Sequence, residues 1–548
     1  MSKGTIVFLA VNASYSHTNL AGWYLRAYAE LAGWTWREVE VTRNDSLISV
    51  LQRVLNLEPD VLASSFYLFN VDFLLSFLIR FKALMPRCLV IGGGPEFLGD
   101  NFCFLEHHPE IDLVVRGAGE QAFAEWLICT DKPDQWKKIK GVCSFIEGDF
   151  VDNGKAETRN SLDEIPSPFK FNLNNFNKPF LMMETSRGCS GQCAFCTSAG
   201  ERVRFFSPER FRSDLALMSA AGVRKVRIAD RTFNENASRC VDFIKIMRDE
   251  FKEMSFHLEI DPSRLSSVVI RELALAGAGR FHLEVGIQTM LSEALRSIGR
   301  IGSVEHALAA VSQLCSLKNL SVHVDLIAGL PGVTLADLYV DLHKIAVMQP
   351  DEIQLELLKI LPGTRLSKES KKVGIIAASE PPYEVLQTAT MSNDDIVAAD
   401  RLSSLVDWFY NPPELHQFFI TALKLVPGFF ECFADYVSES TGAVQKPSLE
   451  NRFRLLEQYC RLHAPPPLIF KLKYEWLKWG FSPQHGICRA IQWKKPLPDN
   501  AVLVEGDRSI APKRIYFAEL ERPYLFIYGR SLRRLACAVY ALKKQINH

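Results

Sequence analysis

Two series of short apolar runs, separated by helical patterns, constrain the fold of this chain more than any other feature. The first series covers residues 1–135, and its first run, Thr5–Ala10, is almost uninterrupted in apolar side chains. Such runs are typical of parallel strands that are buried on both faces and joined by helices. The first series therefore predicts a doubly wound parallel sheet. Its predicted strands are Thr5–Ala10, Trp36–Val41, Val61–Ser65, Cys88–Gly92 and Ile111–Val115.

The second series begins after a connecting segment, residues 136–178. That segment contains a predicted hairpin near Val142–Ile146 and a Pro-rich stretch at Pro166–Pro168, so we interpret it as a linker with a hairpin. Residues 179–374 then alternate strand and helix six times, which predicts a (β/α)6 partial barrel, two units short of a full barrel. Its predicted strands are Phe180–Glu184, Lys225–Ala229, Phe256–Ile260, Phe281–Ile287, Ser321–Ile327 and Glu352–Lys359.

The last part of the chain, residues 375–548, has a different pattern and predicts a mostly helical domain with a few short strands and a final basic helix. The predicted fold class is therefore α/β for the first two domains, with a mostly helical domain after them. Lys plus Arg and Asp plus Glu both number 63, so no global positive field attracts nucleic acid, and none is expected as a partner. No apolar window reaches about 18 residues, so no membrane span is expected.

Thirteen cysteines occur without an export signal, which favours reduced thiols and a cytoplasmic location. Three of them, Cys189, Cys193 and Cys196, form a CxxxCxxC pattern directly after the first strand of the second series. Three thiolates this close can hold an iron–sulfur cluster and leave one iron open, whereas closed clusters take four cysteines. A structural zinc site is disfavoured because it usually takes two close pairs of ligands.

This spacing, with the aromatic Phe195 before the last cysteine, resembles the radical S-adenosylmethionine (SAM) enzymes. The resemblance implies a [4Fe–4S] cluster on the three cysteines, SAM chelated to the open iron, and reductive cleavage of SAM to a 5′-deoxyadenosyl radical. In such an enzyme the cofactors generate the radical, and the protein binds and positions them.

The resemblance also implies that SAM is bound by side chains where successive barrel strands end. These side chains are Phe195 in the cysteine loop and Asp230, Glu259, Glu284, Gln288 and Asp325 at the strand ends. One departure is visible: the related pattern has two acids at the second strand end, and this chain has Asp230 followed by Arg231. No catalytic side chain is assigned.

The first domain carries a serine and a glycine run at two strand ends, Ser65 and Gly92-Gly93-Gly94. Beside the barrel, this resembles the cobalamin-binding domain of cobalamin-dependent radical SAM proteins, which implies that these residues bind cobalamin. His17 follows the first strand but lacks the DxHxxG context of a cobalt ligand, so it is expected beside the corrin as a ligand or a polar neighbour. A nicotinamide or flavin site at Gly117-Ala-Gly119 is disfavoured because the third glycine is missing.

Two cofactors at facing strand ends predict radical methyl transfer to an unactivated carbon of a small-molecule substrate, with an electron donor such as flavodoxin or ferredoxin. The alternative enzyme is a radical cyclase or rearrangement enzyme resembling the anaerobic porphyrin ring-forming cyclases. A cobalamin- or redox-sensing binding protein is the alternative of another class, and the open-iron cysteine pattern argues against it. The C-terminal domain resembles one of unassigned function.

Overall fold

The computed structural model describes residues 3–171, 178–441, 445–483, 485–498, 500–506, 514–528 and 538–542. The chain divides into two compact units, which are described separately. The first unit comprises residues 1–334 and 357–396, and the second comprises residues 335–356 and 397–548.

A seven-stranded sheet forms the first domain of the first unit, in the order β2-β1-β3-β4-β5-β6-β7. The first five strands are parallel, which confirms the predicted doubly wound sheet. The hairpin predicted in the linker is part of this sheet, because β6 pairs antiparallel with β5 and extends it. The strands are β1 Thr5–Asn12, β2 Thr35–Thr42, β3 Val61–Ser65, β4 Leu89–Gly93, β5 Leu113–Val115, β6 Val142–Ile146 and β7 Asp149–Asp152.

Helices cover both faces of this sheet, and alternate residues of β1 supply the two apolar layers: Phe8 lies in one core cluster and Leu9 in the other. Gly22 shows how close the first helix lies to the sheet, because a Cβ there would be 2.7 Å from the Phe8 ring. The helices are Leu20–Leu31, Leu47–Leu55, Val71–Leu84, Phe102–His107, Gly119–Trp126, Pro133–Trp136 and Pro168–Phe171.

The second sheet of the first unit contains the parallel strands β14-β13-β12-β11-β8 in that order. Their residues alternate between buried apolar side chains under the helices and polar side chains on the opposite face. Between β8 and β11 lies a separate antiparallel hairpin, β9 with β10, which the sequence did not predict. The strands are β8 Leu181–Met183, β9 Ser186–Cys189, β10 Glu201–Phe205, β11 Lys225–Ile228, β12 Ser255–Ile260, β13 Phe281–Gln288 and β14 Leu320–Ala328.

The helices that accompany these strands begin at recognisable caps. Ser207 accepts a hydrogen bond from the Arg210 amide and precedes Pro208, a residue that suits the first helical position. The helices are Pro208–Ala220, Ala237–Lys245, Ser267–Ala274, Ser292–Ser297, Val304–Ser316 and Arg365–Glu369.

The second unit begins with the helix Leu335–Val347 and most of the sixth predicted strand, β15 Glu352–Leu357. An aromatic helical cluster follows, in which the buried Tyr410 hydroxyl donates to the Pro350 carbonyl. A short pair, β16 Ile376–Ala377 and β17 Val385–Gln387, belongs to the first unit. The helices of the C-terminal region are Asn393–Leu405, Pro413–Leu425, Phe429–Thr441, Leu449–His463 and Pro466–Lys478.

These helices confirm the predicted helical C-terminal region, but an antiparallel sheet follows them. The predicted final basic helix is wrong over Ala538–Leu542, which pairs as a strand with its neighbours on both sides. The rest of that predicted helix lies outside the described residues. The strands are β18 Ile491–Gln492, β19 Ala501–Gly506, β20 Arg514–Glu519, β21 Pro523–Tyr528 and β22 Ala538–Leu542.

Within the described part of the chain, no single helix meets the length and apolarity needed to cross a membrane. One pair, Pro413–Leu425 with Phe429–Glu439, meets those criteria only when the two helices are taken together, and it is bent by 116°.

Candidate functional site

The three cysteines of the CxxxCxxC pattern lie on one loop at the carboxyl end of the second sheet. All three are half-buried, and all three line one open cleft. The β9–β10 hairpin closes the base of the loop, where Cys189 pairs with Glu201. Gly188 has φ +88°, and a Cβ there would be 2.6 Å from the Arg202 carbonyl, so the hairpin requires glycine beside the first cysteine.

Backbone hydrogen bonds hold the second half of the loop against the rest of the first unit. The Ala194 amide donates to the Ile298 carbonyl at 2.7 Å, and its carbonyl accepts from the Leu366 amide at 2.8 Å. The turn after Ile298 therefore lies against the loop, and the Arg300 guanidinium reaches within 3.8 Å of the Cys193 Sγ. Three converging thiols with one cation beside them fit a cluster bound through three cysteines.

Five of the predicted SAM-binding residues line the same cleft as the cysteines, and one does not. The cleft contains Phe195, Glu259, Glu284, Gln288 and Asp325. Asp230 lies outside it, with none of its surface exposed, and its carboxylate accepts hydrogen bonds from Thr185 and Ser186. The strand ends thus converge as predicted, while the structure gives Asp230 contacts to the protein rather than to the cleft.

The two glutamates of the cleft differ in their electrostatic surroundings. Burial, reinforced by the charge of Glu284, raises the pKa of Glu259 to about 7. Burial also acts on Glu284, but the hydrogen bond from His257 and the charge of Arg227 outweigh it and lower the pKa of that carboxyl. The His257 Nε2 and an Arg227 nitrogen lie 2.7 and 2.8 Å from one Glu284 oxygen. Near neutral pH the cleft therefore offers one firmly ionised glutamate and one close to its midpoint.

Sequence reasoning missed a row of polar side chains on the same face of the second sheet as these two glutamates. Arg227, His257 and His282 are consecutive partners across β11, β12 and β13, and the two imidazoles stack with centroids 4.7 Å apart. The period-two alternation of the strands was the available signal, because it places these residues on the same face as Glu259 and Glu284. Sequence reasoning also missed Arg264 and Arg300, which line the cleft.

In the first domain, the serine and glycines predicted to bind cobalamin come together at the ends of β3 and β4. Ser65 pairs with Gly93 across these strands. Gly94, at φ +107°, has no room for a side chain, because a Cβ would be 2.5 Å from the Phe66 carbonyl oxygen. At Gly93 a Cβ would meet no atom within 4 Å. The strand ends thus form a bare surface that a flat ligand can approach, which fits a corrin.

His17 lies in the loop after β1. The Ser14 hydroxyl is 2.8 Å from its Nδ1, so a hydroxyl occupies the ring nitrogen that an acid orients in the usual context. The ring meets Phe180 edge-on at 5.7 Å, which places it beside the start of the second sheet. Its role as a cobalt ligand or a polar neighbour of cobalamin stays a prediction.

Two ion pairs and a hydrogen bond connect the first domain to the part of the unit that contains the cysteine loop. Arg187, two residues before Cys189, lies 2.6 Å from Glu120 of the first domain and 2.9 Å from Glu184. Lys178 pairs with Glu40 at 2.8 Å, and Tyr383 donates a hydrogen bond to Glu96, just beyond the glycine run. Both candidate cofactor sites therefore belong to one compact unit and are braced against each other.

Comparison with known proteins agrees with this arrangement. Residues 183–345 match the radical SAM superfamily, residues 6–127 match the B12 binding domain, and residues 371–484 match a protein family of unknown function, DUF4080. A cleft lined by three cysteines at the end of a barrel-like sheet, preceded in the chain by a sheet that matches the B12 binding domain, defines the class. The chain is a cobalamin-dependent radical SAM protein, as its motifs predicted, and the predicted [4Fe–4S] cluster, SAM and cobalamin are confirmed as its cofactors.

Two curated relatives are methyltransferases by name. An uncharacterized methyltransferase from Pyrococcus horikoshii is 26% identical over 303 residues, covering 52% of this chain and 63% of the relative. The cobalamin-dependent radical SAM methyltransferase TokK of Streptomyces tokunonensis is 27% identical over 248 residues, covering 42% of this chain and 36% of that protein. The chain thus spans less than two thirds of either relative.

Two solved structures share the fold. The cobalamin-dependent SAM radical enzyme OxsB superposes with a TM-score of 0.61 at 15% identity, covering 84% of this chain and 75% of that one. The radical SAM methyltransferase TsrM of Kitasatospora setae superposes with a TM-score of 0.57 at 16% identity, covering 70% and 80%. These superpositions confirm the predicted fold class.

Proposed function

We propose that this protein is a cobalamin-dependent radical SAM methyltransferase that methylates an unactivated carbon of a small molecule. The observation that carries the proposal is the placement of the cysteine cleft and the bare strand ends of the first domain in one compact unit, joined through Arg187 and Glu120. The methyltransferase names of two relatives support methyl transfer over the cyclase alternative.

The residues of the cysteine cleft bind the iron–sulfur cluster and SAM. Cys189, Cys193 and Cys196 would hold the cluster, and the guanidinium of Arg300, close to Cys193, would neutralise the carboxylate of SAM. Five further side chains of the cleft contact the rest of SAM: Phe195, Glu259, Glu284, Gln288 and Asp325. When bound, the cluster and SAM supply a hydrogen-abstracting radical and cobalamin supplies a methyl group.

The first domain binds cobalamin through its strand ends. Ser65 and Gly92–Gly94 form the bare surface against the corrin, and His17 lies to one side with its Nδ1 held by Ser14. Asp230 acts as a positioning residue that fixes the turn before the cysteine loop.

An external reductant of the flavodoxin or ferredoxin type completes the scheme, since nothing in the donor set supplies an electron by itself. We infer a cytoplasmic location, because the thiols at Cys189, Cys193 and Cys196 must stay reduced to bind iron.

The decisive experiment follows a label from methyl-labelled SAM. The anaerobically reconstituted protein is incubated with cobalamin, a reductant and a small-molecule extract, and both the label and 5′-deoxyadenosine are measured. Label in a new product, absent with Cys193→Ala, supports methyl transfer. Extract-dependent 5′-deoxyadenosine without label in any product would instead support the cyclase or rearrangement reaction. Cobalamin binding without any SAM cleavage would favour a sensor.

A further inference from the structure

Three arginines line the cysteine cleft, and two of them are committed to partners. Arg264 lies 2.8 Å from a Glu235 oxygen and 3.3 Å from an Asp261 oxygen. Arg300 donates to the Gly286 carbonyl at 2.7 Å and approaches Cys193. The guanidinium of the third, Arg231, is exposed and makes no hydrogen bond or ion pair with any residue that the structure describes.

Contacts of the two neighbouring residues fix the backbone of Arg231. The preceding residue, Asp230, is fully buried in hydrogen bonds to Thr185 and Ser186. The hydroxyl of the following residue, Thr232, is 3.6 Å from the Cys189 Sγ. The exposed guanidinium of Arg231 therefore extends from a fixed backbone, next to a residue that approaches a predicted cluster ligand, in the position where the related pattern has an acid.

The charge of Arg231 also acts on Tyr67 of the first domain. Burial raises the pKa of Tyr67, and the positive charge of Arg231 opposes this effect. Tyr67 follows the carboxyl end of β3, two residues beyond Ser65, and its ring stacks on Phe69 at 5.4 Å. Arg231 therefore lines the cleft in which the proposed function places SAM and the substrate, and its charge acts on a side chain beside the candidate cobalamin surface.

We propose that Arg231 binds an anionic group of the substrate, a carboxylate or a phosphate, and so orients the substrate between the two cofactors. This inference rests on the proposed function and names its substrate class. A guanidinium offers a planar pair of donors that matches both anions. A hydrogen bond to a charged group contributes about 1.5–3 kcal/mol, so we expect this contact to be worth roughly a 10- to 150-fold change in affinity.

The carboxylate of SAM and the phosphate of cobalamin could also bind Arg231. Chemical modification of arginine distinguishes these two anions from a substrate anion, because a bound anion protects the guanidinium from the reagent. The cluster-loaded protein is treated with phenylglyoxal, alone and with SAM, cobalamin or both, and modification of each arginine is quantified by mass spectrometry. Arg87, which is exposed and precedes the amino end of β4, at the opposite end of that strand from the candidate cobalamin surface, is the matched control. Citrate and inorganic pyrophosphate then serve as probes of carboxylate and phosphate binding.

We expect Arg231 to stay reactive with both cofactors bound and to be protected, at least 10-fold more than Arg87, by citrate or by pyrophosphate; the effective probe identifies the anion class. Protection by SAM alone or cobalamin alone would make Arg231 a cofactor ligand and overturn the proposal. Failure of both probes to protect it, or no reactivity in any state, would overturn it equally. The readout does not depend on methyl transfer, so failure of the proposed reaction is detected separately.

Discussion

Asp230 accepts hydrogen bonds from both the backbone amide and the hydroxyl of Ser186, at 2.9 and 2.7 Å. The same carboxylate accepts from the Thr185 amide at 2.6 Å, and Arg239 lies 3.8 Å away. Thr185 and Ser186 precede the cysteine loop directly. A buried acid at the end of β11 therefore fixes the turn from which that loop departs, although the two segments are far apart in sequence.

Removal of the Asp230 carboxylate should disorder the start of the cysteine loop. Asp230→Ala leaves several buried donors without an acceptor, each costing about 1–3 kcal/mol. We expect a large loss of iron and sulfide after reconstitution and a smaller loss for Asp230→Asn, which keeps one acceptor. Iron content and the visible absorbance of the cluster measure this effect. Asp134→Ala, at an exposed aspartate, is the control, and full cluster content in Asp230→Ala would contradict the positioning role.

Substitution of the second cysteine tests the cluster assignment. Cys193→Ala removes one of three iron ligands, and we expect it to abolish both the [4Fe–4S] cluster and SAM cleavage under reducing conditions. Cys103→Ala changes an exposed cysteine outside the cleft and should retain both. Anaerobic iron analysis and chromatography of 5′-deoxyadenosine provide the two readouts. A cluster and SAM cleavage that survive in Cys193→Ala would rule out the assignment.

A bulky side chain at Gly93 tests the cobalamin surface. Because a Cβ there meets no atom within 4 Å, Gly93→Trp should fold normally and project into the space assigned to the corrin. We expect cobalamin binding to weaken at least 10-fold, measured by equilibrium dialysis with absorbance detection. Gly277→Trp is the matched control, since Gly277 also has room for a Cβ but lies in the turn before β13. Equal affinity of the two variants would place cobalamin elsewhere.

The pair between Arg187 and Glu120 should contribute strongly to stability. Arg187→Met leaves Glu120 and Glu184 buried without their common cation, and breaking such a pair typically costs about 3–5 kcal/mol. Glu120→Gln in the Arg187→Met background should restore part of the loss. Urea denaturation measures both, with the exposed Arg212–Glu250 pair as control, where Arg212→Met should cost about 1 kcal/mol or less. A similar loss at both sites would contradict the buried-pair account.

Glu259 predicts a pH-dependent stability. Its pKa is raised from 4.5 to about 7 in the folded protein, so between these values the folded state holds a proton that the unfolded state releases. Stability from this group is present below pH 4.5 and is lost as pH rises toward 7. Glu259→Gln should therefore gain stability over the wild type on going from pH 5 to pH 8, by at most about 3 kcal/mol.

Thermal denaturation of the cofactor-free protein at several pH values checks this difference. Glu293→Gln, at an exposed glutamate on a neighbouring helix, should show no such gain. A pH-independent difference between Glu259→Gln and the wild type would show that Glu259 ionises normally.

Local patterns in the sequence determined the strand–helix alternation, the three-cysteine cluster loop and the convergence of Glu259, Glu284 and Asp325 on one cleft. These follow from short-range codes: apolar runs, the spacing of thiols, and the rule that parallel strands end at the same edge. The same patterns predicted the hairpin at β6 only as part of a linker. Its pairing with β5 was not predictable, because the periodicity of a strand does not specify which neighbour it pairs with.

Only the tertiary structure decided which polar groups satisfy one another. Asp230 and Arg231 look equivalent as strand-end residues, yet folding buries the first against Thr185 and leaves the second exposed in the cleft. Arg187 finds Glu120 in a different domain for the same reason. Such pairing depends on the packing of segments distant in the chain, and the energy of a charge depends on its partner and its burial, so a linear pattern does not specify it.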